Sequence, residues 1–384
     1  MPKLDEKQIQ ASIADGSIVA ITLDTNVFDK YGRNLDFKIF SSLSQLQSDG
    51  IGVVFSEIVI QEVQRHISDD AIEAERALKK ALKKQKSLWK ADFDVDTTLN
   101  TSKRGLTPKA LAQEQIAKFL KSVGGEIIPA SGKVDVSGEV LRRYFSGEYP
   151  FEKNEAKKHE FPDAFALLSL EKAFPADGKM LLCVSNDGGW KKFSETSDTL
   201  VCVDAIDTAL SYFEHGGRSA VQKAVNLLVA GNAPLLVEAM ESEIDFQLSE
   251  ADFIAICASD FDYESEPVGG EVQNINTGTV SKVKIVSSSD EEVSFTFKIE
   301  VSVEFEAAFH FQTYDSIDKE HISLGTEYAT VNTDLNLMML VTISRSDDDE
   351  PEVSHIEVLK KGHMEFHFGY VNPFSYDDWA DEEY

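Results

Sequence analysis

The chain of 384 residues is 42% hydrophobic and 10% aromatic, which is enough apolar material to build the cores of two domains. No continuous apolar run approaches the roughly 18 residues of a membrane span, and the opening residues MPKLDEKQIQ lack the apolar core of a secretory signal. These features argue against a membrane protein and predict a cytoplasmic one.

The formal net charge of −30 at pH 7 is distributed unevenly along the chain. Residues 1–200 contain 28 Lys and Arg against 30 Asp and Glu, whereas residues 201–384 contain 9 against 37. A polyanionic partner such as nucleic acid needs local basic groups, and the first half supplies most of them. The asymmetry predicts two domains with different partners.

Residues 16–215 alternate short apolar runs with helical stretches, a pattern typical of repeated βα units. The predicted strands are 18–23, 51–55, 126–128, 179–184 and 200–203. The predicted helices are 35–47, 56–67, 162–173 and 205–213. This part of the chain is therefore expected to fold as an α/β domain with a parallel sheet flanked by helices.

A segment at about residues 69–122 departs from the βα rhythm and reads as two helices joined by a polar loop, which indicates a helical insertion. Its first helix is rich in lysine, and helical spacing places several lysines on one face. This face is either an ordinary solvated surface or a basic flank for phosphates. The lysines that we consider for contacts to substrate are Lys79, Lys80, Lys83, Lys84 and Lys86.

The second half of the chain changes character twice. Residues 216–252 read as a helical linker. Residues 255–372 contain long runs that alternate with a period of two and are rich in β-branched and aromatic residues, which predicts an antiparallel β-rich domain with acidic turns. Residues 373–384 form a short acidic tail. The β-rich domain offers no site from its sequence. Solubility is the default explanation of its acidic surface, and a homo-oligomer or a protein partner through this domain is a hypothesis motivated by the charge asymmetry.

Carboxylates follow or flank the carboxyl ends of the predicted strands. Asp24 follows the first strand in LDTNVF, and Asp187 follows the fourth in VSNDGGW. Glu62 lies on the helix after the second strand, and Asp163 lies in the first turn of the helix that opens with EFPDAF. Each has an ordinary explanation alone; Asp24, for example, is a good helix cap. Because parallel strands end at one edge of a sheet, we expect the four to lie together.

Four neighbouring carboxylates repel one another and raise each other's pKa unless a cation neutralises them. Oxygen ligands without clustered His or Cys suit Mg²⁺ or Mn²⁺ rather than zinc, and the three cysteines are far apart in the sequence. A metal pair held by carboxylates can activate water for attack on a phosphodiester and stabilise the leaving oxygen. The sequence thus predicts hydrolytic phosphoryl transfer.

The motifs LDTNVF, EFPDAF and VSNDGGW, together with the Glu62 helix, resemble the four acidic motifs of PIN-domain ribonucleases, and in particular the larger bacterial PIN-like proteins of the DUF4935 type. The resemblance covers about residues 16–215. It implies a metal-dependent endonuclease that prefers RNA over DNA. The Mg²⁺ or Mn²⁺ ligands that it implies are Asp24, Glu62, Asp163 and Asp187, with Asn26 and Asn186 as polar groups beside them. The length, the insertion and the acidic half differ from small PIN toxins and argue against a simple toxin role.

Several alternatives stay open at the level of the sequence. Glu57 replaces Glu62 if the second helix begins later than expected, and Asp204 is either a fifth acidic group or, as we prefer, a helix N-cap. Lys158, in the loop before Asp163, is a further candidate for contact with the substrate. A haloacid-dehalogenase-like phosphatase is disfavoured because that chemistry wants a second Asp where this chain has Asn26. A PIN-like module that binds RNA or protein without cleaving it is the remaining rival.

Overall fold

The computed structural model describes residues 4–130, 136–151, 160–174, 178–214, 216–249, 251, 253–315, 319–345, 351–359 and 364–374. It divides the chain into two compact units, Met1–His215 and Gly216–Tyr384, here called the first and the second unit.

The first unit contains a five-stranded sheet in which every neighbouring pair is parallel. Its strands are β1 Ile18–Leu23, β2 Gly52–Ser56, β3 Glu126–Ile128, β4 Met180–Val184 and β5 Leu200–Val203, in the order β3-β2-β1-β4-β5. Strand β1 lies in the middle and is almost completely buried, as its run of Ile, Val, Ala and Leu predicts. The predicted parallel α/β fold is confirmed.

Helices cover this sheet and connect its strands. They are α1 Glu6–Ala14, α2 Thr25–Lys30, α3 Lys38–Ser41, α4 Glu57–Trp89, α5 Val95–Ser102, α6 Pro108–Val123, α7 Ser137–Ser146, α8 Phe161–Ala173, α9 Gly188–Thr196 and α10 Ile206–Phe213. The single helix predicted at 35–47 is wrong, because α3 is followed by a 3₁₀ helix, Ser42–Gln47. Hydroxyl groups of Ser41 and Ser44 donate to carbonyls three residues back, which competes with regular α-helical bonding.

Helix α4 is one continuous helix of 33 residues where the sequence pattern suggested a short helix followed by a separate lysine-rich one. Its sequence contains neither glycine nor proline, so nothing interrupts it before Lys90, which ends it in the left-handed conformation with φ 49°. Helix α6 returns the chain to the core, where the Phe119 ring packs edge-on against Phe28 at 5.7 Å. The insertion is therefore anchored in the hydrophobic core at its far end.

The second unit is built on a four-stranded antiparallel sheet with the order β10-β9-β8-β7. The strands of this unit are β6 Phe253–Ala258, β7 Asp262–Ser288, β8 Glu292–Asp315, β9 Glu320–Ser344, β10 Val353–Val358 and β11 Met364–Tyr370. The prediction of an antiparallel β-rich region is confirmed for the large sheet. Strands β6 and β11 instead form a parallel pair, which their separation in the chain makes impossible to foresee from local pattern.

Two helices, α11 Arg218–Val229 and α12 Pro234–Ser249, precede these strands. Their buried residues, among them Val221, Leu236 and Met240, belong to one hydrophobic core with the phenylalanines of β8. The segment expected as a linker thus contributes to the core of the second unit. No single described helix is long and apolar enough to cross a membrane, while α11 and α12, bent by 81°, pass that test as a pair by length and composition only.

Candidate active site

The candidate site lies where the strand order of the first unit reverses. Strands β1 and β4 are neighbours at the centre of the sheet, and chain connections leave them in opposite directions. In open α/β sheets this switch point creates a crevice at the carboxyl ends of the strands. Asp24 directly follows β1, and Asn186 and Asp187 follow β4, so the fold brings residues more than 150 positions apart to one edge.

Asp24 is the most enclosed carboxylate of this edge, with only 4% of its surface exposed. Its Oδ1 accepts a hydrogen bond from the Thr25 backbone N–H at 2.6 Å, as the cap of α2. Its Oδ2 accepts from the Ser185 hydroxyl at 2.6 Å and from the Asn26 amide. The side chain is therefore a helix cap, as its ordinary explanation held, and also the centre of a hydrogen-bond network.

Ser185 is a member of this network that the sequence reasoning missed. It is completely buried, and besides donating to Asp24 its hydroxyl oxygen accepts from Asn26 Nδ2 at 3.0 Å and from the Asp187 N–H at 3.0 Å. One hydroxyl thus joins the residues after β1 to those after β4. The available signal was the position of Ser185 itself, a polar residue between a buried strand and the Asn186-Asp187 pair.

Glu62 reaches the cluster through Thr25, whose hydroxyl donates to Glu62 Oε2 at 2.9 Å. Because the Thr25 N–H also donates to Asp24, one residue holds both carboxylates in place. Glu57 is engaged elsewhere, since its Oε2 accepts from the Ala130 N–H at 3.0 Å. The structure therefore places Glu62, and not Glu57, beside the residues that follow β1.

Trp190 links the two remaining carboxylates. Its indole Nε1 donates to Asp163 Oδ1 at 3.0 Å, and its backbone N–H donates to Asp187 Oδ1 at 3.1 Å. The same Asp187 oxygen accepts from the Gly189 N–H at 2.6 Å and caps α9. A Cβ atom at Gly189 would come within 2.9 Å of that oxygen, which accounts for glycine in the GGW motif.

The electrostatics of the site connect all four carboxylates. Burial raises the pKa of Asp24 to about 7 against the hydrogen bond from Ser185, and the charges of Asp163 and Asp187 act in the same direction as burial. Burial likewise raises the pKa of Asp163 to about 6, and the charges of Asp187, Glu62 and Glu160 contribute. The cluster therefore carries more negative charge than its surroundings neutralise.

The donor chemistry of this cluster suits a hard divalent cation, because all four groups offer carboxylate oxygens and no sulfur or imidazole stands among them. Within the described residues, no group of three or more His, Cys, Asp or Glu is already arranged closely enough to hold a metal ion. The donors Thr25, Ser185 and Trp190 each use one lone pair of a carboxylate oxygen, and the remaining lone pairs of the carboxylates are available to a cation.

Asn186 and Asp204 lie at the rim of the crevice. Lys191 Nζ contacts Asn186 Oδ1 at 3.2 Å and forms an ion pair with Asp204 at 3.0 Å. The preferred role of Asp204 as a helix cap is wrong, because α10 begins one residue later, at a cap position held by Ala205 without a side-chain bond. A cavity of about 460 Å³ opens here, lined in part by Asn26, Asn186 and Asp204.

The lysines considered for contacts to substrate differ in their exposure and in whether another residue binds their ammonium group. Lys79 forms an ion pair with Asp96 at 2.7 Å, and Lys86 Nζ donates to the Phe93 carbonyl. The remaining candidates on α4, which are Lys80, Lys83 and Lys84, are exposed. Lys158 lies outside the described residues. At 1.5 Å per residue, the lysines of α4 begin about 25 Å from Glu62 along the helix axis, so they do not flank the carboxylates directly.

A comparison with protein families connects this geometry to a known domain. Residues 21–190 match the family model of the PIN domain. The first unit contains a PIN domain. The match begins in β1 and ends in α9, so it spans all four carboxylates of the cluster. Comparisons with curated proteins and with solved structures gave no match.

PIN domains are generally nucleases, and the match therefore indicates a nuclease-type function and binding of nucleic acid for this chain. The suspected resemblance is confirmed at the level of the PIN domain. The match does not extend into the second unit, which begins at Gly216.

Proposed function

We propose that the protein is a metal-dependent endonuclease that hydrolyses phosphodiester bonds, with RNA preferred over DNA. The observation that carries the proposal is the linked set of four carboxylates at the switch point, two of them with raised pKa. A bound cation would stabilise such a site, because it would neutralise carboxylates that repel one another. The preference for RNA rests on the resemblance to PIN-domain ribonucleases, because no residue of the site is seen to read a 2′-hydroxyl.

Asp24, Glu62, Asp163 and Asp187 would hold Mg²⁺ or Mn²⁺ in this proposal. When bound, the cation supplies charge neutralisation and activates water for attack on the phosphodiester. The chain's own residues keep the carboxylates in position: Ser185 and Asn26 fix Asp24, Thr25 fixes Glu62, and Trp190 fixes Asp163 and Asp187. Asn186 lies at the rim, where it would contact the substrate or an ordered water.

The test is incubation of the full chain with labelled RNA and DNA, linear and circular, in Mg²⁺, in Mn²⁺ and in EDTA. We expect cleavage of circular as well as linear RNA, weaker cleavage of DNA, and none in EDTA. Cleavage that survives EDTA would contradict the metal mechanism. Metal-independent binding without cleavage of any substrate would favour the rival, a PIN-like module that only binds RNA or protein.

Removing the Ser185 hydroxyl should weaken the proposed metal site without touching any ligand. In Ser185→Ala, Asp24 loses one donor and the Asp187 N–H loses its acceptor. Losing such supporting hydrogen bonds typically costs 10-fold to 100-fold in metal affinity. We therefore expect the Mn²⁺ dissociation constant measured by calorimetry to rise by at least about tenfold.

Two variants control for this effect. Ser185→Thr keeps the hydroxyl and should retain most of the affinity. Ser169→Ala removes another buried hydroxyl, whose hydrogen bond among the described residues goes to the Ala166 carbonyl within α8. Equal Mn²⁺ affinity in Ser185→Ala and Ser169→Ala would contradict the role assigned to Ser185.

We also propose that the second unit mediates self-association, as its composition suggested. Strand β10 pairs only with the last part of β9, from Met339 to Ile343, and no described strand covers the outer edge of β9 before that point. An open edge of this kind offers unpaired backbone groups to another strand. Sedimentation velocity over a range of concentrations should show a dimer, whereas a monomer at all concentrations would leave a different protein as the partner.

A further inference from the structure

Several basic residues of α4 project from the same face of the helix as Glu62, the carboxylate that this helix contributes to the site. Glu62 and Lys80 are separated by about five full turns, so their side chains leave the helix in nearly the same direction. Arg76, Lys83 and Lys84 lie within about 60° of that direction. We call these four basic residues, Arg76, Lys80, Lys83 and Lys84, the basic stripe.

The basic stripe differs from the other lysines of α4 in both direction and partners. Lys79 and Lys86 are turned by about 100° and 120° from the line of Glu62. They are held by Asp96 and by the Phe93 carbonyl. All four members of the basic stripe are exposed, and none of them has an ion-pair partner among the described residues. Their charges are therefore available to a polyanion.

The distance between the stripe and the carboxylates sets a length scale for that polyanion. Along α4, Arg76 lies about 21 Å and Lys84 about 33 Å from Glu62. A stacked nucleic-acid strand advances 3.4 Å per nucleotide, so this span corresponds to about six to ten nucleotides. Asp69 and Glu73 lie on the same line between the two regions. The basic stripe therefore attracts phosphates at one end of this path, whereas the carboxylates at the other end would attract them only with a bound cation, and the middle of the path repels them.

A single strand follows such a path better than a duplex. The stripe is straight and only one helix wide, about 10 Å. In a duplex the backbone of one strand circles the axis once in about 34 Å, so over this distance it turns to the far side of the double helix and back. A flexible single strand can keep its phosphates on one line for the whole distance.

We propose that the basic stripe binds the backbone of a single-stranded nucleic acid about six to ten nucleotides from the phosphodiester held at the carboxylate cluster. The inference rests on the proposed nuclease function for the position of the second contact. It deepens that function, because it names a substrate with an extended single-stranded segment on one side of the cut.

The test compares two double variants that remove the same charge from opposite faces of one helix. Lys80→Gln with Lys84→Gln alters the stripe, and Lys79→Gln with Lys86→Gln is the matched control; glutamine keeps good helix propensity. Binding is measured in EDTA, so that no cleavage occurs, to single-stranded RNA of 20 nucleotides and to a 20-base-pair duplex, over a salt series. Cleavage of single-stranded RNA of 4 and of 20 nucleotides is measured separately in Mn²⁺. Circular dichroism verifies that both variants fold.

For the 20-nucleotide strand we expect the stripe variant to lose about tenfold or more in affinity at 50 mM salt, and its slope of log affinity against log salt to fall by about 1.4. The control variant should bind like wild type. In Mn²⁺ the two variants should cleave the 4-nucleotide strand equally, because it is too short to reach the stripe from the carboxylate cluster. The proposal would be overturned by equal losses of binding in both variants, by an equal loss of cleavage with 4 nucleotides, by a duplex whose affinity depends on the stripe, or by no binding of single strands to wild type.

The two proposals fail separately in these experiments. If wild type cleaves RNA with Mg²⁺ or Mn²⁺ but the two double variants bind alike, the stripe proposal is wrong and the nuclease proposal stands. If the stripe variant alone loses binding while wild type cleaves nothing in any metal, the nuclease proposal is wrong and the stripe remains a binding surface for a single strand.

Discussion

Replacing Asp24 with asparagine should reduce metal-dependent cleavage by at least about 100-fold and should weaken Mn²⁺ binding measured by calorimetry. A hundredfold loss corresponds to about 3 kcal/mol, within the several kcal/mol that a positioned metal contributes to phosphodiester chemistry. Asp24 is the best candidate for this effect because it is the most buried carboxylate and both of its oxygens are held by named donors. Asparagine also presents an N–H where Ser185 and Asn26 need an acceptor.

The matched control is Asp29→Asn, five residues further on in α2. Asp29 pairs with Arg33 and His66, outside the hydrogen-bond network of the four carboxylates. This variant should cleave RNA and bind Mn²⁺ like wild type. If Asp24→Asn retains wild-type Mn²⁺ affinity and activity, Asp24 is not a ligand and the assignment of the site is wrong.

Without metal, the first unit should become less stable as the pH rises from about 4 to about 7. The pKa of Asp24 is raised to about 7 and that of Asp163 to about 6, from an ordinary value of 3.8. Between these values the folded state binds more protons than the unfolded state, so the free energy of unfolding decreases with rising pH. Above pH 7 both groups are ionised in both states, and the full cost of burying the two charges, on the order of 7 kcal/mol for the two raised pKa values together, is present.

Asp163→Asn isolates this effect, because asparagine keeps an oxygen for the Trp190 indole while it removes the buried charge. In EDTA at pH 8 the variant should be more stable than wild type by about 3 kcal/mol, and the difference should disappear below about pH 4. Urea unfolding followed by the fluorescence of the buried Trp190 measures the difference.

Asp204→Asn is the control for the pH experiment, since Asp204 lies at the same edge but 73% of its side chain is exposed. This substitution should leave the pH dependence unchanged. Mn²⁺ should stabilise wild type more than Asp163→Asn at pH 8. A wild-type stability that is constant from pH 5 to pH 8 in EDTA would contradict the electrostatic account of the cluster.

The sequence was sufficient to predict the strands of the first unit and the carboxylates at their ends, because apolar runs and parallel βα alternation are local patterns. Adjacency of β1 and β4 is not a local pattern. The roles of Ser185 and Trp190 depend on that adjacency and on the packing of α8 against α9, so they became visible only in the structure. The role of Asp204 was misjudged because α10 begins at Ile206 with Ala205 in the cap position, and its ion pair with Lys191 of α9 is not visible in the local sequence.

The lysine-rich segment was predicted correctly only in part. Its helical structure and its charge were predicted, but its continuity with the helix that carries Glu62 was not. This continuity fixes both the distance and the angular relation between Glu62 and Lys80. The five candidate lysines of α4 could be grouped by face only after their helix was known to be the same one that carries Glu62.

Two of the four carboxylates have a second task in the fold. Asp24 Oδ1 caps the first turn of α2, and Asp187 Oδ1 caps the first turn of α9. An oxygen that turns towards a cation gives up part of its hydrogen bond to a helical N–H. Binding of a cation would therefore weaken the hydrogen bonds that order the first turns of these two helices. If the proposed metal site is correct, amide hydrogen exchange at Thr25 and Gly189 should therefore change with cation concentration.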